Sequence, residues 1–399
     1  MSAADNPPSP RIPRGVWALG FVSLFMDVSS ELIHGLLPVF MVSTLGLGAF
    51  TLGLIEGMAE GMALAVKVFS GALSDYLGRR KPLAVAGYGL SAFSKPLFAI
   101  ATGAGSVFLA RFIDRIGKGL RGAPRDALVA DLAPASVRGA AFGLRQSLDT
   151  VGAMLGPLLA MALMLAWDNN FRAVFWVASV PAFISVGILM AGVREPQRQA
   201  APAKSNPIHW GLIDRLPRRF WMVAIIGAIF TMARFSEAFL VLRVQQTGLP
   251  IAAAPLALVV MNLVYALSAY PLGSLSDRAS HRLLLALGFG VLIIADVTLA
   301  LASSFHVALI GVGIWGLHMG MTQGLLSAMV AHSAPEDLRG TAFGIFYLVS
   351  GVATLASSAL AGLLWQVAGP EWAFLAGSMF CLLGLAALVA QRGLKAGAS

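Results

Sequence analysis

The chain of 399 residues carries one cysteine, Cys381, so no internal disulfide can form and sulfur says nothing about the redox compartment. Charge is also scarce. Asp, Glu, Lys and Arg make up 12% of the residues, against about 25% in a soluble domain. No G-x-x-x-x-G-K-[ST] loop is present, which removes the usual backbone cradle for nucleotide phosphates. No nucleophile–base constellation stands out. Neither catalysis nor ATP-driven work is therefore expected, and no cofactor is implied. No Cys–His cluster and no His-rich loop appears, so no metal site is expected.

Apolar residues are abundant. They make up 58% of the chain, and the mean hydropathy is +0.80. A soluble protein this apolar could not cover its own surface, whereas in a bilayer the lipid does the covering. The length suits about twelve spans of ~20 residues with short connections. Spans are expected near 16–44, 50–74, 83–102, 106–130, 139–166, 171–192, 220–246, 252–275, 282–301, 306–331, 340–367 and 371–392. The net charge of +9 raises the possibility of a nucleic-acid partner, but its placement speaks against one. Alternate loops collect Arg79, Arg80, Lys81, Arg138, Arg194, Arg215, Arg218, Arg219, Arg282 and Arg339, while the opposite loops hold Arg172 and Arg243. This asymmetry places both termini and the 193–219 loop in the cytoplasm, in a bacterial-type inner membrane. The polar N-terminal segment lacks the apolar stretch of a signal peptide, so the first apolar run is expected to remain as a helix.

The chain repeats itself. Val137-Arg138-Gly139-Ala140-Ala141-Phe142-Gly143 returns as Leu338-Arg339-Gly340-Thr341-Ala342-Phe343-Gly344, and Gly71-Ala72-Leu73-Ser74-Asp75 returns as Gly273-Ser274-Leu275-Ser276-Asp277. Arg138 and Arg339 are 201 residues apart, and Asp75 and Asp277 are 202 apart. Two similar halves in the same order are how a two-lobed carrier with a central path is built. The expected division is 1–192 for the first half, 193–219 for the joining loop and 220–399 for the second half. The expected architecture is an all-α membrane protein of twelve transmembrane helices in two pseudo-symmetric six-helix halves.

Three motifs carry a family resemblance. Gly71-Ala72-Leu73-Ser74-Asp75-Tyr76-Leu77-Gly78-Arg79-Arg80-Lys81 resembles the loop signature of the major facilitator superfamily. The resemblance implies a conformational latch between the halves, with Gly71 and Gly78 permitting close approach and a tight turn. Asp75 and Arg79 would pair, and Asp126 or Asp131 would serve the Arg79 cluster. Gly143, Gly152, Gly156 and Pro157 resemble the antiporter motif of the proton-coupled drug and solute exchangers in this superfamily. Their small side chains suggest close packing across the interface between the halves, and the resemblance implies export. Arg111, Gly117 and Gly119 match a basic motif of the fourth span, with Arg115 and Asp114 departing from its usual residues.

Ionisable residues inside spans cost roughly 2.5–3.5 kcal/mol on insertion scales, so they face protein or water. Asp27, Glu31 and His34 share one face of span one at spacings of four and three. Glu56 and Glu60 do the same in span two, where a structural ion pair and a functional role both stay open. By resemblance, spans one, four, seven and ten line the central cavity. The expected proton-coupling group is Glu31, Asp27 and His34. The expected substrate cavity comprises Arg111, Arg115, Lys118, Arg145, Asp149, Arg234, Glu237, His318 and Gln323. Burial and nearby cations act on a carboxylate's proton in opposite directions, which a proton-coupled carrier can exploit.

The resulting expectation is a secondary active transporter exporting a small organic or amphipathic solute in exchange for protons. Its partners are the lipid bilayer, the small-molecule solute and protons, and a monomer is expected. The alternative is proton-driven uptake of an organic anion, with divalent metal export or a non-transporting receptor less favoured. Orientation is directly testable. A cysteine introduced in the Arg79–Lys81 turn should react with an impermeant maleimide only from the cytoplasmic face; labelling from the outer face would reverse the topology.

Overall fold

The computed structural model describes residues 12–195, 210–276, 280–322, 324–335 and 338–396. Within them the chain forms helices and their connections. We number the spans α1 (Arg14–Thr44), α2 (Ala49–Leu77), α3 (Lys81–Ile100), α4 (Ala104–Leu132), α5 (Arg138–Ala166), α6 (Phe171–Gly192), α7 (Arg218–Gln246), α8 (Leu256–Ser276), α9 (His281–Ala300), α10 (Phe305–Ser333), α11 (Arg339–Val367) and α12 (Pro370–Ala396). Local chemistry sets the ends. The Gly78 backbone is left-handed at φ 61°, which closes α2 and permits the sharp turn into α3. The Asn170 side chain accepts from Ala173 N–H to cap α6, and Ser280 does the same for Leu283 at α9.

Among the described residues, eleven helices are long and apolar enough to cross a membrane by length and composition. The remaining span, α4, is 29 residues long and fails on composition alone, because it carries Arg111, Asp114, Arg115, Lys118, Arg121, Arg125, Asp126 and Asp131. Its neighbours absorb that charge. Among the described residues, three of the spans are broken along their length. Helix α1 is α-helical over Arg14–His34, bends at Gly35–Leu36 and closes in a π turn over Phe40–Thr44. Helix α7 is interrupted between Ala233 and Ala238. Helix α10 is interrupted before Leu325, with Gly324 at φ 83°.

The repeat is visible in the packing. In the first half, α1 packs on α5 and α6, α3 on α4 and α6, and α2 on α4. In the second, α7 packs on α11 and α12, α9 on α10 and α12, and α8 on α10. Each contact reappears six helices later. The halves meet along α2–α11 and, more loosely, along α5–α8. Most of the 193–219 connection lies outside the described residues. Large apolar side chains such as Phe93, Leu165, Leu267 and Val352 stand exposed around the outside. On a soluble surface they would be a liability, but in a bilayer they meet acyl chains.

We call the end bearing the Arg79–Lys81 turn the basic end. At the opposite end the α2–α11 seam is closed by small residues. A Cβ on Gly53 would lie 2.1 Å from the Ser358 carbonyl oxygen, one on Gly57 2.9 Å from Leu355 Cα, and one on Gly362 2.4 Å from the Ala49 carbonyl oxygen. Gly35 of α1 abuts Pro255 at the same end, and Leu37–Val39 packs against Ala238–Gln246. Gly53→Val therefore has no room. Overpacking of this kind costs about 1–3 kcal/mol, and the expected result is a seam forced apart. A cysteine at Thr354, which lines the cavity described below, should be reactive only from the basic end in the parent and from the opposite end as well in the Gly53→Val background. Unchanged one-sided reactivity would show that the seam does not seal that end.

Candidate functional site

A cavity of ≈ 580 Å³ lies between the halves at mid-depth. It reaches toward the basic end through Leu326, Ser327 and Phe346, while the seam closes the other end. Its size suits a small organic ligand, for which sites of about 300–1,000 Å³ are usual.

The first half supplies a charged wall. Glu31 and His34 lie in the last turn of the first segment of α1, with Glu31 Oε2 3.4 Å from His34 Nδ1. Glu60 of α2 accepts from Arg115 of α4 at 2.9 Å, and Lys118 stands one turn further along α4. Behind this wall the charges are paired in sequence. Arg111, 2% exposed, donates to Glu56 Oε2 at 2.6 Å and lies 3.8 Å from Glu60. Asp114 accepts from Lys95 of α3 at 2.8 Å, and the same ammonium donates to Ser30 Oγ at 3.0 Å. Among the described residues the network crosses between the halves where Ser236 Oγ lies 3.4 Å from Glu56 Oε2. Glycine makes this geometry possible. A Cβ on Gly117 would lie 2.6 Å from the Gly87 carbonyl oxygen of α3, and one on Gly119 2.7 Å from that of Ala63 in α2. The motif glycines thus let α4 press against both helices that neutralise it.

The second half supplies an aromatic wall with few charges. The interruption in α7 carries Arg234 and Glu237 to the cavity. The Arg234 guanidinium sits 5.6 Å from the Phe230 ring centroid. Phe235 packs against Trp315 at 5.6 Å between centroids, and Tyr347 completes the surface.

Of the expected cavity residues, Arg115, Lys118, Arg234 and Glu237 line this space together with Glu31 and His34. Arg111 does not, because it is buried against Glu56. His318 is 0% exposed, its Nδ1 is 2.8 Å from the Gly288 carbonyl oxygen, and its ring packs on Phe230. It belongs to the core of the second half. Gln323 lies outside the described residues. Arg145 pairs with Asp149 and sits 3.7 Å from Asp126. Asp149 and Asp27 both face a second, smaller cleft of ≈ 190 Å³ with Asn262 and Tyr265, between α1, α5 and α8. Asp27 is thus separated from Glu31 and His34, and among the described residues no group of three His, Cys, Asp or Glu side chains is arranged to hold a metal ion.

The turn after α2 is tied to its own half. Arg80, not Arg79, reaches α4: its Nη1 is 2.6 Å from Asp131 Oδ2, and it also donates to the Ala127 carbonyl. Its backbone N–H meets Glu195. Arg79 is exposed, Asp126 pairs with Arg125 at 3.1 Å, and the Asp75 side chain lies outside the description. Gly71 sits in α2 facing Ala123 of α4. The α5 motif also packs within the first half. A Cβ on Gly152 would lie 2.7 Å from the Leu24 carbonyl oxygen and 3.0 Å from Asp27 Cβ; one on Gly156 would lie 2.8 Å from Glu31 Cβ. These glycines press α5 onto the two acidic turns of α1, not onto the other half. Gly143 meets nothing within 4 Å, and Pro157 follows inside the helix. Lys95 and Ser236 were not singled out from sequence; a lone lysine inside the apolar run of α3 was the available signal.

A family model described as Major Facilitator Superfamily matches residues 19–346 and again 238–396. The chain belongs to the major facilitator superfamily. It is 31% identical over 385 residues to an MFS-type transporter of Methanocaldococcus jannaschii, covering 95% of each chain. It is 26% identical over 314 residues to the multidrug resistance protein MdtL of Klebsiella pneumoniae, covering 77% of this chain and 75% of that one. Its fold superposes on the nucleoside transporter NupG with a TM-score of 0.79 at 12% identity, covering 94% and 99% of the two chains. The protein is a multi-pass membrane transporter of this superfamily.

The buried Lys95–Asp114 pair gives a stability prediction. Removing one partner of a buried pair costs about 3–5 kcal/mol, because the other charge is left uncompensated. Lys95→Met should lower the melting temperature of the purified protein markedly, and Lys95→Met with Asp114→Asn should recover most of the loss. A double variant no more stable than the single one would show that the pair is not the unit of stability.

Proposed function

We propose that this transporter exports a small organic, amphipathic solute from the cytoplasm in exchange for protons, by alternating access. One observation carries the reading: a cavity between the halves, closed at one end, open toward the basic end and walled by the acid–base pair Glu31–His34. The charge asymmetry assigns the basic end to the cytoplasm of a bacterial-type inner membrane, with both termini on that side. In this conformation the cavity would then load from the cytoplasm. The α5 Gly-Pro motif supports export, as does similarity to a protein named for multidrug resistance. One chain encloses the whole path, so a monomer suffices.

Glu31 is the chosen proton carrier. Water reaches it through the mouth, His34 lies one turn away to share the proton, and α5 holds its turn through Gly156. Protonation from the outer side would precede return to the state seen here, and solute loading would accompany proton release. Asp27, in the second cleft beside Asp149, is the reserve carrier. Uptake of an organic anion draws less support, because of Arg115, Lys118 and Arg145 the first is engaged by Glu60 and the last by Asp149, which leaves Lys118 alone of the three to hold an anion.

Two measurements test this. Everted vesicles acidified inside should accumulate solute, and collapse of the proton gradient should release it; accumulation by intact cells driven by inward proton flow would reverse the direction. Glu31→Gln should abolish gradient-driven transport while leaving solute exchange and the melting temperature near parental values, because a neutral amide mimics the protonated acid. A lowered melting temperature with intact coupling would instead make Glu31 a structural partner and pass the proton role to Asp27.

A further inference from the structure

Tyr347 aside, the seven ionisable side chains of the cavity lining divide into those already partnered within the protein and those left over. Glu60 is ion-paired with Arg115, and Glu31 lies within hydrogen-bond distance of the His34 ring. Lys118, Arg234 and Glu237 have no ion-pair or hydrogen-bond partner among the described residues. Such groups are expensive in a membrane interior unless water or a ligand meets them. A bound solute displaces that water, so it must replace it with groups of matching sign. Two leftover cations and one leftover carboxylate specify the match. One carboxylate has two oxygens and can take a cation on each, and one ammonium answers Glu237.

The total charge agrees. With His34 neutral, the lining holds three cations, Arg115, Lys118 and Arg234, against three carboxylates, Glu31, Glu60 and Glu237. A solute with no net charge leaves that balance intact, whereas a simple anion or cation upsets it. An uncharged solute would leave all three leftover groups unanswered. The facing wall defines the body of the solute. Tyr347 is half-buried at the cavity, Phe235 and Trp315 line it as largely buried rings, and among the described residues the Trp315 indole N–H has no partner. We propose that the transported solute is a zwitterion with an aromatic body, its carboxylate bridging Lys118 and Arg234 from opposite halves and its ammonium paired with Glu237. This rests on the cavity being the transport site. It also gives the solute a mechanical role, because a carboxylate held by both halves draws them together over the mouth.

The test is titration calorimetry on the purified full-length protein near neutral pH, with four compounds of one shape. Phenylalanine carries both charges, phenylalanine amide only the ammonium, 3-phenylpropionate only the carboxylate, and 3-phenylpropionamide neither. Phenylalanine should bind at least about tenfold more tightly than each of the others, a difference of about one lost charge contact. Glu237→Gln should bring phenylalanine down to the level of 3-phenylpropionate and leave 3-phenylpropionate itself unchanged. Lys118→Gln and Arg234→Gln should each weaken both carboxylate-bearing compounds and spare the amide. The proposal is overturned if phenylalanine does not bind, if a compound with one charge or none binds as tightly, or if the three substitutions leave its affinity untouched. Counterflow in proteoliposomes separates this outcome from the transport reading. Binding of phenylalanine without its counterflow keeps the zwitterion site and retires the cavity as the transport path. Counterflow of the acid or the amine alone keeps the transport path and overturns the zwitterion.

Discussion

The charge on α4 has to be cancelled before anything else in this molecule can be assembled. Moving an ion out of water costs several kcal/mol even after relaxation, and α4 carries eight ionisable residues between Arg111 and Asp131. The partners come from specific neighbours: Glu56 and Glu60 from α2, Lys95 from α3. Helix α4 therefore dictates which helices flank it and at what rotation, in a way that apolar contact alone would not. Glycines at 87, 117 and 119 bring the backbones close enough for those pairs to form. Pairing also explains what remains. Lys118 is the α4 cation that the arrangement leaves facing open space.

The two halves repeat in packing but not in chemistry. The counterpart of α4 is α10, which replaces the charged stripe with Trp315, Gly316 and a buried His318. One half therefore contributes electrostatics and the other shape and aromatic surface. The helix breaks are offset as well. Helix α1 bends just after Glu31 and His34, whereas α7 opens just before Glu237. At that opening Ser236 touches Glu56 of the other half, and its backbone N–H meets Ser358 Oγ at 3.2 Å. The first half's charge chain thus ends on the interrupted helix of the second.

Spans, repeat and family were legible in the sequence because each rests on long-range pattern: apolar runs, a duplicated motif, the alternation of basic loops. Helix α4 was found in spite of its charge, because apolar residues flank it on both sides. Partners were harder to read. Asp27, Glu31 and His34 share a helical face, yet a face is about 100° wide, and one turn of height sends Asp27 to a different cleft. Arg79 and Arg80 are adjacent on a turn whose direction depends on the left-handed backbone at Gly78, and that decides which guanidinium reaches Asp131. The α5 glycines advertise close packing without naming a partner; the partner is α1. Arg111 and His318 looked like cavity residues because charge within a span suggests exposure to a path, but each found a partner inside its own half.

The seam between α2 and α11 has a consequence for the cost of motion. Its contacts are small residues against backbone, and the side-chain hydrogen bond that crosses at its outer end, Phe50 N–H to Gln366 Oε1, is 3.3 Å long. Dispersion contacts are individually weak and fall off within a fraction of an ångström. Among the described residues such a joint offers no single strong bond to rupture; it can peel apart progressively and re-form in register, because only glycine fits against the facing backbone at these positions. The energy scale for separation is then set by a sum of small contacts. A single bound solute can tip a sum of that kind in either direction.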